Sequence, residues 1–434
     1  MKQSSFSKKF LFVASGLAAG SMSFASGFEK AVMWSGKYTG IGGAAVSSVR
    51  GSESLFFNPA GLASGENIDF SLNVSPTMTQ LKGPVRADGE SITSKTSTNY
   101  PLGVTGKYSL TPDLALGVGF FASGGAGADF GNVDFSTATG VSGLLPQYKS
   151  EVMLLEAALG AAYKLAPGLS VGASWRTTFA RAQFILPNVT NVGTMIVVSE
   201  TNIHDLKATN LAGFRAGLQY EPENGPFGLG LSVRTPITFT PKGSVKAQIA
   251  TSLAATTVTQ IADTAASVTD VTFPLQVSLG GHYDVTKDAK VFLQYDFTNY
   301  ATLKSLAFNG TVTTALGATS LPTITLNSKN MHSVRVAGQY QLSEPLALRL
   351  GYIFTSQVMN SQYARPTLYS PGPGHTFTVG AGYALSKELS LDAAFEYAKA
   401  SGNVTAPATT TPAVKKGTYS SRAIDAHVGA TYTF

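Results

Sequence analysis

Cysteine is absent from the 434 residues, so no disulfide framework and no thiolate metal site can hold this fold together. Charge is scarce: Asp, Glu, Lys and Arg make up only 13% of the chain. An average soluble domain carries about twice that share. Beyond the first twenty-five residues there is no run of about eighteen apolar positions, which excludes a membrane-spanning helix there. The five histidines, His204, His282, His332, His375 and His427, lack metal-ligand spacing. Gly124-Gly125-Ala126-Gly127 lacks the lysine and the following helix of a phosphate cradle. No metal, cofactor or nucleic acid is expected. The net charge of +6 includes three lysines in the first nine residues, and the +3 that remains is too small to argue for an acidic partner.

The N-terminus reads as a targeting segment. Lys2, Lys8 and Lys9 form a basic start, Phe10 to Gly20 an apolar core, and Ser23-Phe24-Ala25 a small-residue cleavage site. Residues 1–25 are therefore expected to be a signal peptide, removed after Ala25. That apolar run is too short to span about 30 Å of hydrocarbon as an anchor. What remains is rich in glycine (45) and in tyrosine and phenylalanine (17 and 25). An exported chain with low charge, many aromatics and no spanning helix has one other way to satisfy its backbone in lipid, a closed β-barrel.

Period-two alternation supports that reading. Val428, Ala430, Tyr432 and Phe434 oppose His427, Gly429, Thr431 and Thr433. Leu389, Leu391, Ala393, Phe395 and Tyr397 oppose Ser390, Asp392, Ala394 and Glu396. Val291, Leu293, Tyr295 and Phe297 oppose Lys290, Gln294, Asp296 and Thr298. Apolar residues toward lipid and polar ones toward a lumen are what a membrane barrel requires. A soluble β-sandwich would also alternate, but it would not need aromatics at the ends of so many strands with a polar inner face. About fourteen strands can be placed between 66 and 434, an even number as single-chain outer-membrane barrels have. Tight turns such as Leu110-Thr111-Pro112-Asp113, Ala166-Pro167-Gly168 and Ser343-Glu344-Pro345 alternate with long polar stretches at 125–149, 187–204, 248–270, 305–327 and 400–417. Those stretches are expected to be extracellular loops. The aromatic C-terminal strand ending in Phe434 fits either a lipid-facing aromatic or the signal read by the barrel-assembly machinery.

Residues 26–64 do not alternate. They hold Gly40-Ile41-Gly42-Gly43-Ala44-Ala45 and Leu55-Phe56-Phe57-Asn58-Pro59-Ala60-Gly61-Leu62-Ala63, and Pro59 cannot donate to a strand ladder. An apolar segment ahead of a barrel either hangs in the periplasm, where its surface is a liability, or folds back into the lumen.

Ser26-Gly27-Phe28, the glycine-rich stretch and Phe57-Asn58-Pro59-Ala60-Gly61 together resemble the N-terminal hatch of the FadL/TodX family of outer-membrane transporters of long-chain fatty acids and aromatic hydrocarbons. Tyr163-Lys164-Leu165 through Phe179-Ala180-Arg181-Ala182, Phe273-Pro274 through Tyr295, and His375 through Tyr383 are similar to later strands of that family. The resemblance implies an all-β fold: a transmembrane antiparallel barrel, residues 65–434, plugged by a hatch at 26–64. It implies uptake of hydrophobic molecules, caught between loops 125–149 and 187–204, with sideways exit where the third strand kinks. Gly117 and Gly119 mark that strand here. Phe28 would line the inner pocket, Lys329 would meet a carboxylate, and Arg335 would share its lumen face. Leu186 stands where the family has a second basic residue, which weakens a fatty-acid site. The expected surroundings are outer-membrane lipid and lipopolysaccharide, and the expected state is a monomer. A general diffusion porin is the first rival. A barrel lipase, which needs a Ser-His pair on adjoining strands, is the second.

Overall fold

The computed structural model describes residues 34–86, 89–314, 317–408 and 414–434. The signal segment, its cleavage site and Phe28 lie outside these. Fourteen antiparallel strands close into a ring, each paired with its neighbours in sequence and the last paired with the first. In chain order they are β1 (Ile68–Val74, resuming at Thr77–Pro84), β2 (Ser91–Thr93, Ser97–Asn99 and Leu102–Ser109), β3 (Leu114–Asn132), β4 (Gln147–Ala166) and β5 (Leu169–Val192). Next come β6 (Met195–Tyr220), β7 (Phe227–Arg234, Ile237–Phe239 and Lys242–Thr251), β8 (Ala254–Thr269, Val271–Phe273 and Gln276–Asp284) and β9 (Ala289–Thr298 and Ser305–Asn309). The ring ends with β10 (Thr323–Thr325 and Met331–Ser343), β11 (Leu346–Thr355), β12 (Gly374–Ala384), β13 (Leu389–Val404) and β14 (Gly417–Thr433).

The alternation read from the sequence is the alternation of the wall. Leu348, Leu350 and Phe354 on β11 face outward while Ala347, Arg349 and Ile353 are buried, and Leu350 is 66% exposed. Such a leucine would be a liability in water but is at home in hydrocarbon. At one end of the barrel the turns are tight and alike: the amides of Leu110, Val285 and Leu385 each donate to a carbonyl four residues on, at 2.8 Å.

At the other end the structure departs from expectation. The stretches 187–204 and 248–270 are not loops but extensions of the strands. β5 runs to Val192 and β6 begins at Met195, with Gly193 turning the hairpin at φ +62°. β7 and β8 likewise continue to Thr251 and from Ala254. Segment 305–327 supplies strand pieces of β9 and β10, plus a small hairpin, Thr311–Thr314 with Gly317–Ser320. β13 likewise reaches Val404, into the 400–417 stretch. These stretches are rich in threonine and valine, and β-branched residues favour an extended backbone even where both faces are polar. Polarity had masked that preference.

Candidate functional site: a filled lumen and a broken wall

Residues 34–64 lie inside the ring. They contain two short helices, α1 (Gly36–Gly40) and α2 (Ser54–Phe57), and a 3-10 turn over Pro59–Ala63. Ser35 caps α1 by accepting from the Tyr38 amide at 3.1 Å. The segment is bonded to inward-facing side chains around the whole circumference. The Gly36 amide donates to Asn73 on β1 at 2.9 Å. Lys107 on β2 donates to the Ser64 carbonyl at 2.7 Å. Gln219 on β6 donates to Val46 and Val49. Gln294 on β9 accepts from Val46 at 3.0 Å, Arg335 on β10 donates to Gly42 at 2.7 Å, and Thr378 on β12 donates to Gly40 at 3.2 Å. Glu53, fully inside, accepts from Ser35, Ser71 and Asn73. A segment whose backbone groups are matched from every side is held as tightly as a core helix.

The Asn-Pro-Ala motif sits where this segment meets β5 and β6. Asn58 Oδ1 caps the 3-10 turn through the Ala60 amide at 3.2 Å. Its Nδ2 donates to Val46 at 2.7 Å and to the Leu218 carbonyl of β6 at 3.0 Å. Pro59 and Ala60 are buried beside it. The approach is close enough to demand glycine in the wall: a Cβ on Gly217 would fall 1.8 Å from Asn58 Oδ1, and one on Gly172 would fall 2.4 Å from the Pro59 carbonyl. Gly117 serves the same purpose on β3, where a Cβ would meet Leu62 at 2.7 Å. Gly119 lies against Leu55. Both remain within the paired stretch of β3, opposite Lys107 and Thr105.

The wall breaks just above them. β3 pairs with β2 only from Ser109↔Ala115 to Gly103↔Phe121, whereas its pairing with β4 continues to Asn132. Beyond Phe121 the register with β4 slips between Ala122 and Gly124. Alternation also fails there, and eight consecutive residues from Phe121 to Ala128 are buried. The upper part of β3 has thus bent away from β2 into the lumen. The two edges meet again where the Lys95 amide donates to the Asp129 carbonyl at 2.8 Å. The inner side of this gap is aromatic. Trp34 stacks on Phe121 at 5.3 Å, and Phe56 meets Phe121 edge-on at the same distance. None of Trp34, Phe56 or Phe121 was marked as a site residue in the sequence, although Phe56 lies inside the quoted motif.

Two cavities flank this cluster. One is lined by Phe56 and Phe57 from the inner segment and by Arg215, Arg234, Arg335 and Asp296 from the wall. Arg335 is 1% exposed and its Nε donates to Asp296 at 2.5 Å. Arg215 donates to the Leu55 carbonyl and stands 3.5 Å from Glu156, which also holds Arg176 at 2.8 Å. Cations outnumber acids here, as suits an anionic or strongly polar head group. The other cavity is apolar, walled by Phe184, Leu206, Phe239, Phe273 and Leu306, with Arg181 at its edge. A single apolar cluster containing Trp34, Phe121, Val152 and Phe184 links the two regions. Lys329 is in neither cavity: it precedes the Met331–Ser343 strand, is exposed, and donates its amide to Val358 at 2.8 Å. The lumen position expected for it is therefore not what the fold gives, because the alternation had been extended two residues past the strand's start. Leu186 packs between two apolar clusters. One of these joins 128–148 to Val198 and Ala250, so the outer segments close on one another.

A Ser-His pair on adjoining strands does exist. His427 Nδ1 on β14 lies 2.7 Å from Ser75 Oγ beside β1, with Glu396 3.6 Å from Nε2 and Asp425 nearby. Ser75, Glu396 and His427 are 0% exposed and line neither of these two cavities. Gly168-Leu169-Ser170-Val171-Gly172 has the spelling of a nucleophile elbow, but it leads from a tight turn into β5 and not into a helix.

A family profile described as outer membrane protein transport protein (OMPP1/FadL/TodX) matches residues 16–434. A putative outer membrane protein of Neisseria meningitidis serogroup B is 33% identical over 197 residues, 40% of this chain and 41% of that protein. The chain therefore aligns with under half the length of that relative. Among solved structures, the toluene transporter TodX of Pseudomonas putida superposes with a TM-score of 0.75 at 18% identity, covering 93% of this chain and 99% of that one. A Pseudomonas aeruginosa FadL homologue gives 0.74 at 14% identity, covering 94% and 100%. The Ralstonia pickettii toluene transporter TbuX gives 0.69 at 17%, covering 93% and 98%.

Proposed function

The chain belongs to the OMPP1/FadL/TodX family of outer-membrane transport proteins, and from that premise we propose that it imports hydrophobic compounds, long-chain fatty acids or hydrocarbons, and releases them sideways into the bilayer. The observation that carries this reading is the one-sided ladder of β3 above Phe121, lined within by Trp34 and Phe56. An apolar solute gains free energy by going from an apolar cavity straight to lipid without crossing water. The hatch, 26–64 with its Asn58-Pro59-Ala60 anchor, closes the lumen against ions in this reading. The toluene transporters among its structural neighbours argue for small aromatic cargo, while Arg335, Arg215 and Arg234 give a carboxylate head a place to rest. Lys329, exposed between the two stretches of β10, contributes at most to capture.

The absence of cysteine makes the test clean. Pro101→Cys and Ser123→Cys place thiols on the two edges of the gap, and a short bismaleimide, which alkylates both thiols, should tie them together. Uptake of a labelled hydrocarbon into cells should fall to the level of the empty strain, and uptake through the unlinked double variant should persist. Undiminished uptake after complete linking would reject lateral exit. Steady ion conductance of the intact protein in planar bilayers would favour the diffusion porin instead.

A further inference from the structure

Arg181 on β5, Lys207 on β6 and Lys242 on β7 stand directly opposite one another, Arg181 against Lys207 and Lys207 against Lys242. All three are exposed, and their neighbours Ala180, Leu206 and Pro241 are buried on the lumen side. Like charges opposed in a sheet are destabilising, so a row of three is a cost the fold does not recover by itself. Lys207 has Asp205 at 3.5 Å, while Arg181 and Lys242 form no ion pair among the described residues. Nearby charges on this outer face are matched: Lys149 holds Glu151 at 2.8 Å on β4, and Asp263 on β8 lies 3.1 Å from His204.

Height along the barrel tells what the row faces. Below it on the same outer faces lie Trp175 and Phe179, Leu211 and Phe214, and Leu229 and Leu231. From the tight turn at Leu169, β5 climbs to Arg181 by about 30 Å, at ~3.3 Å per residue and a tilt near 40°. The apolar band of such barrels is about 25 Å tall. The row therefore stands at the head-group level of the outer leaflet. It also closes a weak seam, because pairing between β6 and β7 stops at Arg215↔Arg234 and resumes only at Lys207↔Lys242.

We propose that Arg181, Lys207 and Lys242 bind the phosphate groups of an outer-leaflet lipopolysaccharide, which bridges β5, β6 and β7 across the interrupted ladder. The proposal rests on outer-membrane location and not on what the barrel transports, so either can fail without the other. The full-length protein, purified in detergent and stripped of lipid, is titrated with lipopolysaccharide, with lipopolysaccharide lacking its lipid A phosphates, and with inorganic phosphate. Only the phosphorylated glycolipid should bind, with affinity falling as salt is raised. Arg181→Gln, Lys207→Gln and Lys242→Gln should each weaken it by about fivefold, the effect of one cation beside an anionic lipid surface. Lys387→Gln, in a turn at the opposite end, should bind as wild type does, and heat-modifiable gel migration shows that each variant is folded. Equal binding of the dephosphorylated form, or of the triple variant, would overturn the site. Inorganic phosphate binding as tightly as the glycolipid would reduce it to a small-anion site and equally reject the proposal.

Discussion

The upper half of β3 and the β11–β12 hairpin are both barrel wall, yet they satisfy their backbones in opposite ways. β11 and β12 pair without interruption from Leu346↔Tyr383 to Thr355↔Gly374, and large side chains such as Leu348 and Leu350 face lipid. β3 gives up its partner on one side beyond Phe121 and carries small residues there, Ala122-Ser123-Gly124-Gly125-Ala126-Gly127-Ala128. In hydrocarbon each unpaired amide or carbonyl costs several kcal/mol. A free edge survives only if it turns away from lipid, and small residues let this one pack on both faces. The difference teaches that the gap is built by bending one strand inward, and that the rest of the wall need not loosen for it.

The largest expected effect comes from removing what the bent strand packs against. Deleting residues 36–62 should leave a barrel that is β-rich by circular dichroism but conducts ions steadily in planar bilayers. If conductance stays at the wild-type level, the segment is not what closes the lumen. The next effect is electrostatic. Arg335→Ala leaves Asp296 buried without its partner and should cost about 3–5 kcal/mol in a urea titration. Leu350→Ala, on the lipid face of β11, creates no buried charge and should cost under about 1 kcal/mol by the same measurement. Comparable losses for the two would erase the contrast between a bonded interior and an adaptable exterior. Asn58→Ala removes the cap of the 3-10 turn and two donated bonds, and a loss of about 2 kcal/mol is expected, read as earlier opening of the lumen on denaturant titration.

The smallest effect concerns acid. Glu221, in the turn between β6 and β7, is held down to about 2 chiefly by the nearby His282 ring, whose Nε2 stands 3.8 Å away, and further by Arg50 of the inner segment. Arg50 grips both its oxygens at 2.7 Å. A depressed carboxylate lends its stability above its ordinary value near 4.5 and loses it as pH falls toward 2. Both partners are partly exposed, so screening leaves about 1 kcal/mol. The difference in stability between wild type and Glu221→Gln should therefore shrink between pH 5 and about 2. A constant difference would show that the pair does not tie the segment to the wall.

Much of this was legible in the sequence because lipid imposes a strict rule on parity. A charge at an inward position between two outward apolar residues, as Arg335 stands between Val334 and Val336, can be placed without coordinates. Lys329 could not, since parity says nothing once the strand has ended. Gly117 and Gly119 drew notice for their composition, yet their role is to admit Leu62 and Leu55. The gap itself announces its place by lost alternation, in the adjacent Phe120-Phe121 and the small residues after them. Arg176, Arg215 and Arg234 follow the same inward parity and could have been found by it. The outer hairpins were misread because polar residues on both faces erase the period, although the threonine and valine content still favours strands.

The seam between β1 and β14 brings together groups 360 positions apart, as in the bond from Thr431 to Ser71. The inner segment touches both sides of that seam: Gly36 bonds to Asn73 on β1 and lies so close to β13 and β14 that a Cβ would fall 2.7 Å from the Asp392 carbonyl and 3.0 Å from the Gly429 nitrogen. It leads the chain in sequence and borders the joint that closes last in chain order. It therefore acts as a jig, holding the first strand where the last must arrive and relieving part of the search that distant pairings impose on folding speed. A barrel made without it is expected to reach the same closed ring more slowly, as the rate of acquiring heat-modifiable gel migration would show.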